Sequence, residues 1–224
     1  MLFRSGDGSD PRYQALADDL IKLAWDQRGV YTIDFLPIAE GIRVALEPRS
    51  GPGPLLIGDY TDNPGGGAHG DGTSFLKALL ESKVEDAVVG HIADPESAKV
   101  GIDAGIGATV TLDLGGKTDP RFGGGPLDLQ ARILLLGDGA YVGDGPMIGG
   151  LKGSWGRMAV IKVQDIEILV ATAPQQALDL QQFRAFGIDP AAKRVVALKS
   201  MQHFRAAFEP IADRKSTRLN SSHT

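Results

Sequence analysis

Leu55–Leu80 reads LLIGDYTDNPGGGAHGDGTSFLKALL, and the fold follows from how this stretch divides. Leu55, Leu56 and Ile57 form a short apolar run that reads as a buried strand, and Gly58 ends it. Asp59, Asp62 and Asn63 follow at once. Pro64 and three consecutive glycines then forbid regular structure. Phe75, Leu76, Leu79 and Leu80 recur at helical spacing, so a helix is predicted to start near Asp71–Ser74. Strand, glycine loop and helix, in that order, place backbone N–H groups and a helix N-terminus around an anionic group. The competing reading is a glycine-rich turn with a capping Asp or Thr and no ligand.

Upstream, Asp10–Arg28 reads as a helix, with Asp10-Pro11 as N-cap and first helical residue and Leu16, Leu20, Leu23 and Ala24 as an apolar stripe. A short extended piece is predicted over Val30–Phe35, then a second helix from Pro37 to about Leu46. The Pro/Gly-rich run Glu47–Pro54 is the best candidate for a domain boundary. Downstream, Asp86–Gly90 reads as a second short strand. Asp94-Pro95-Glu96 caps a helix that runs to about Ala104. ATVTLDL (Ala108–Leu114) alternates and is β-branched, as a strand should be. Leu127–Leu136, Ala140–Val142, Met158–Val163 and Ile166–Ala171 are short strands between tight turns, which predicts antiparallel hairpins. A helix over Asp179–Phe186, a strand over Arg194–Lys199 and a helical end to SMQHFRAAF complete the pattern. The fold class is therefore α/β: a mixed, partly parallel sheet with flanking helices and an antiparallel β-hairpin lobe.

Composition narrows the function. The chain has 224 residues, 42% of them hydrophobic, enough for a core. Its net charge of −5, with no basic stripe interleaved with aromatics, argues against nucleic acid as a partner. There is no cysteine, which excludes disulfides, thiolate chemistry and Cys-type zinc sites, and fits a cytoplasmic location. No apolar run approaches the ~18–20 residues of a membrane span. No Gly-x-Ser-x-Gly elbow is present, and no Gly-Lys-Ser/Thr follows the triple glycine, so the P-loop pattern fails. Both ends read as foreign: Asp213–His223, DRKSTRLNSSH, matches an in-frame translation of a common sequencing adapter, and Met1–Ser5 matches its other strand. Residues 1–5 and 213–224 are accordingly expected to be non-native, leaving a natural part truncated at both ends.

In open α/β sheets, ligands sit beyond the carboxyl ends of the strands. Three predicted strands end in polar residues. The first ends in Asp59, Asp62 and Asn63 with Gly65, Gly66 and Gly67, the next in Gly115, Gly116 and Lys117, and the last in Lys199, Ser200 and His203. Together these would gather carboxylates, ammonium groups, an imidazole and backbone N–H groups. Taken singly, each has a structural alternative: loop-capping aspartates, a solvated Lys117, a satisfied His203. The histidines His69, His91 and His203 are widely separated, and no three-ligand zinc site can be assembled from this chain.

DNPGGGAHGDGT (Asp62–Thr73) resembles the C-terminal domain of the microcystinase C (MlrC) family of metallopeptidases. So do ADPESAKVGIDAGIGATVTLDLGGKTDP (Ala93–Pro120) and FRAFGIDPAAKRVVALKSMQHFRAAFEPIA (Phe183–Ala212), in the family's order. The resemblance implies a zinc-dependent hydrolase of amide or peptide bonds acting on a small peptide or amide substrate. It implies that residues 6–50 end an N-terminal metal-binding domain and that residues 51–212 are the C-terminal domain. The zinc ligands are then expected outside this chain, so the fragment alone would be inactive. Asp59, Asp62 and His203 would be catalytic, with Asp59 and Asp62 orienting the metal-bound water or a substrate ammonium. Asn63, Gly65, Gly66, Gly67, Lys117, Lys199 and Ser200 would bind substrate, with the loop, Lys117 and His203 on a carboxylate or developing oxyanion. Two other functions compete: a non-catalytic module that binds carboxylate or phosphate on the glycine loop, and a structural role with the hairpin lobe as a subunit contact.

Overall fold

The computed structural model describes residues 10–30, 35–48 and 51–220, with backbone alone for 214–220. Residues up to Asp34 and residues from Phe35 onward are separate compact units. In the first, α1 (Pro11–Asp26) starts as the sequence predicts: the Asp10 carboxylate accepts the Arg12 N–H at 2.9 Å, and Pro11 occupies the first turn. Most of the extended piece predicted over Val30–Phe35 lies outside the described residues.

The second unit begins at Phe35, not at the Pro/Gly run. The reason is α2 (Ile38–Leu46), whose Ile42 and Ala45 are buried in the main core, so this helix packs with the sheet that follows it. After α2 come β2 (Leu55–Asp59), α3 (Ser74–Glu81), β3 (Ala87–Ala93), α4 (Pro95–Ala104), β4 (Thr109–Leu114) and β5 (Leu127–Gly137). Then follow β6 (Ala140–Val142), β7 (Lys152–Ser154), β8 (Met158–Val163), β9 (Ile166–Ala171), α5 (Gln181–Arg184), β10 (Val195–Leu198), α6 (Arg205–Phe208) and β11 (Arg214–Asn220). With β1 (Leu36–Pro37) at one edge, the described strands make a sheet in the order β1-β11-β2-β10-β3-β9-β8-β5-β4, and β6 and β7 pair separately. β2, β10, β3 and β9 run parallel, and β8, β5 and β4 continue the same sheet antiparallel. The mixed α/β class holds, and the antiparallel hairpins extend the main sheet.

Alternation decides the layers. Leu55, Ile57, Val195, Ala197, Ala87 and Val89 face a core shared with Phe75, Leu76 and Leu79 of α3 and Ala98 of α4. Leu56, Val196, Leu198 and Val88 face a second core with Trp155, Phe183, Phe204 and Phe208. The sheet is covered on both sides, so its central strands are continuously apolar. Each large side chain buried there contributes about 1.5–3 kcal/mol. No helix among the described residues is long and apolar enough to cross a membrane.

Two elements differ from expectation. β3 continues to Ala93 because it stays paired with β9, Ala93 opposite Ala171. The tail expected to be foreign supplies β11, which lies parallel between β1 and β2. The pairing itself is made by backbone N–H and C=O groups.

Candidate active-site wall

Parallel pairing puts the ends of β2, β10 and β3 side by side, and the segments that leave them meet. Lys199, just past β10, is buried with its ammonium 2.5 Å from Asp62 Oδ2, 2.8 Å from the Gly72 carbonyl and 3.7 Å from Asp59 Oδ2. Asp62 accepts on both oxygens: Gly70 N–H at 2.7 Å on Oδ1 and Gly72 N–H at 2.7 Å on Oδ2. Burial pushes the Asp62 carboxyl up, but Lys199 and the two amides outweigh it and hold the group below its ordinary value. Burial likewise pushes the Lys199 ammonium down, and the charges of Asp62 and Asp59 more than reverse this. One knot thus ties the end of β10 to the loop after β2.

The glycine loop is closed on itself. Asn63 caps a short 3₁₀ turn, its Oδ1 accepting Gly65 N–H at 3.0 Å. Gly66 and Ala68 donate to the Asn63 carbonyl, and Gly67 donates to that of Pro64 while sitting at φ 91°. The amides expected to cradle an anion are therefore used within the loop. The start of α3 is occupied too: Thr73 and Ser74 N–H both donate to the Gly123 carbonyl, at 2.6 and 2.7 Å. What the loop presents outward is the exposed surface of Gly65, Gly66 and Gly67.

The loop after β4 is held by two aspartates. Asp71 Oδ2 accepts Lys117 N–H at 3.0 Å and Thr118 N–H at 2.9 Å. Asp94 caps α4 through Ser97 N–H at 3.0 Å, accepts Gly115 N–H at 2.9 Å, and takes the Lys117 ammonium at 3.0 Å. Burial works against the Asp94 charge, yet these donors keep its carboxyl below the ordinary range. Lys117 also meets Glu96 at 3.1 Å.

A groove of about 500 Å³ runs beside the glycine loop, between Pro64 and Gly65 on one side and Tyr141, Ile148, Leu151, Lys152 and Gly153 on the other. Its floor is Pro174–Gln176 with Leu178. Gln182, fully buried, fixes that floor: its Oε1 accepts Leu178 N–H at 2.6 Å and Asp179 N–H at 2.9 Å, and its Nε2 donates to the Gln176 carbonyl at 3.1 Å. The predicted Asp179–Phe186 helix is shorter, α5 covering only Gln181–Arg184. Tyr141 hydroxyl donates to Gln175 Oε1 at 2.9 Å. The buried His91 ring stacks 4.4 Å from Trp155 and points Nε2 at Gln175 N–H, 3.4 Å away. Burial, with Lys199 nearby, pushes the His91 imidazole down to about 3, so it is neutral.

These contacts revise the roles expected of single residues. Asp59, Asp62, Lys199 and Ser200 are buried, and Asp62 and Lys199 hold the loop in position through their ion pair. Asn63 is a cap and Lys117 is committed to Asp94 and Glu96. Gly65, Gly66, Gly67 and His203 remain accessible. Gln176 joins the two groups: Nε2 donates to Ser200 Oγ at 3.0 Å, and Oε1 lies 3.3 Å from His203 Nδ1. Gln175, Gln176 and Gln182 carried no sequence signal beyond the pair of adjacent glutamines after Pro174.

The described residues do not fit a metal. Among them no three His, Asp or Glu side chains converge, and the clustered carboxylates are already engaged by ammonium and amide donors.

Comparison with known proteins places this architecture. The family described as MlrC C-terminus matches residues 57–220. Microcystinase C from Sphingomonas sp. is 34% identical over 155 residues, spanning 69% of this chain and 30% of that relative. The chain thus spans less than a third of the curated relative it matches. The crystal structure of a candidate metallopeptidase from Mesorhizobium sp. BNC1 superposes with a TM-score of 0.80 at 22% identity, over 90% of this chain and 39% of that one. At that identity the likeness concerns the fold.

Proposed function

We propose, from the premise that this chain belongs to the MlrC family through its C-terminal domain, that it forms the substrate-side wall of the active site of a zinc-dependent peptide or amide hydrolase. The observation that carries this reading is the groove beside Gly65, which lies at the carboxyl ends of the parallel strands with a floor locked by Gln182. Zinc is implied by the family and is held, in this reading, by residues of the preceding domain. The chain's own part is to place a rigid surface: Gly65–Gly67 permit close approach of substrate, and Gln176 and His203 offer polar contact. Gln176 lies under Gly65 so closely that a Cβ there would stand 2.2 Å from its Oε1. The carboxylate- or phosphate-binding alternative loses its support because the loop amides are bonded internally.

The test is hydrolysis of linear peptides by the longer protein, by this chain alone, and by the longer protein after chelation. Activity is expected only in the first, with return on adding zinc. Undiminished turnover after complete metal removal would refute the metallohydrolase reading.

A further inference from the structure

We infer that β4 is a dimerisation edge: a second copy of this chain lays its own β4 antiparallel alongside, about a two-fold axis at Thr111, and continues the sheet. Three observations converge. First, β4 ends the sheet, and no strand lies beyond it among the described residues. Its ladder shows which groups are free. Gly107 N–H donates to the Ile133 carbonyl and Ile133 N–H donates to the Ala108 carbonyl, both at 2.9 Å. Antiparallel bonding alternates along a strand, so Val110, Leu112 and Leu114 bond toward β5, and Thr109, Thr111 and Asp113 turn their backbone N–H and C=O outward. The Asp113 carbonyl accepts the Ser97 hydroxyl at 3.1 Å, which leaves it one more lone pair. Second, the edge is not protected. β4 reads TVTLDL, with neither lysine nor proline, and its register with β5 is unbroken from Thr109 to Leu114. Third, the charges on the exposed face are self-complementary. Asp113 stands opposite Asp128, and Thr109 stands opposite Arg132, all four exposed. Like charges directly opposite one another are unfavourable in a ladder. Neither aspartate has an ion-pair partner among the described residues, and nor does Arg132. Its neighbour on β8 is a second cation, Lys162, which Asp165 holds at 2.8 Å. A two-fold at Thr111 sets Thr109 opposite Asp113 of the second copy. One row then runs Arg132, Thr109, and Asp113 and Asp128 of the second copy, and symmetry makes the same row again. Arg132 and that Asp113 are two strand spacings apart, about 10 Å, which an arginine laid over a threonine spans. A two-fold at Thr109 would instead bring two copies of Arg132 into one row, and one at Asp113 would gather four carboxylates. Charge therefore selects both the register and the occupant.

Sedimentation equilibrium of the whole chain, and of the longer protein, tests this without metal or turnover. A reversible monomer–dimer equilibrium is expected. Thr111→Pro removes an outward N–H and no bond to β5, so it should leave the chain folded by circular dichroism and abolish the dimer. Arg132→Glu alone, and Asp113→Lys with Asp128→Lys together, should each raise the dimer dissociation constant at least about tenfold, because like charges then meet across the axis. Mixed in equal amounts, these two variants should dimerise with each other as well as wild type does. The new glutamate then faces the two new lysines, and the unchanged Arg132 faces the unchanged aspartates. Misfolded variants would not recover in this way. A wild-type chain that stays monomeric at millimolar concentration, a dimer indifferent to Thr111→Pro, or a mixture that fails to associate would each overturn the proposal. So would a longer protein that stays monomeric where this chain dimerises, because the preceding domain would then cover β4.

Discussion

Lys199→Met is expected to lower the unfolding free energy by ~3–5 kcal/mol, because it leaves Asp62 buried with an uncompensated charge. The methionine replaces the stem of the lysine but cannot meet Asp62 Oδ2 or the Gly72 carbonyl. Denaturant midpoints of wild type and variant measure the loss. Adding Asp62→Asn to the variant should recover part of it, since the orphan charge is removed. The pH dependence has a defined sign. Asp62 has a folded pKa below its ordinary 3.8, so its contribution is complete above that value and is lost as pH falls through the folded pKa. Lys199 has a folded pKa above 10.5, so its contribution is complete below that value and is lost as pH rises through the folded pKa. The gap between wild type and variant should be flat across neutral pH and close at both extremes. A variant within 1 kcal/mol of wild type at pH 7 would mean that the knot does not hold the loop.

The second large effect is expected at Asp94. Asp94→Ala removes a helix cap, worth about 1 kcal/mol, and leaves the Gly115 N–H without its acceptor, at about 1–3 kcal/mol. A loss of ~2–4 kcal/mol follows, with faster hydrogen exchange at Gly115 and in the loop that Lys117 anchors. Asp94→Asn keeps a capping oxygen and should lose less. Full amide protection at Gly115 in the alanine variant would show that the carboxylate is dispensable to this loop.

The strands were legible because their periodicity is local. Leu55–Ile57, Asp86–Gly90 and Arg194–Lys199 announce strands by composition alone, and the structure shows them parallel and covered on both faces. Asp94-Pro95 was legible as a cap because capping needs only a neighbour three residues on. The site was less so. Lys199 and Asp62 are 137 positions apart, and nothing local distinguishes a buried lysine from a surface one. The glycine loop looked like an anion cradle because the sequence shows the amides but not their acceptors, the Asn63 side chain and the Asn63 and Pro64 carbonyls. Gln182 gave no signal, since a buried glutamine that fixes backbone amides has the same sequence as one on a helix surface. The family resemblance did reach beyond the local pattern: it identified the domain without showing which of its polar residues are turned inward.

The most direct test of the division of labour is elemental analysis of zinc in this chain and in the longer protein, each purified without chelator and dialysed against metal-free buffer. The expected result is no stoichiometric zinc in this chain and tightly bound zinc in the longer protein. One tightly held zinc per copy of this chain would contradict it and place the metal site within this chain.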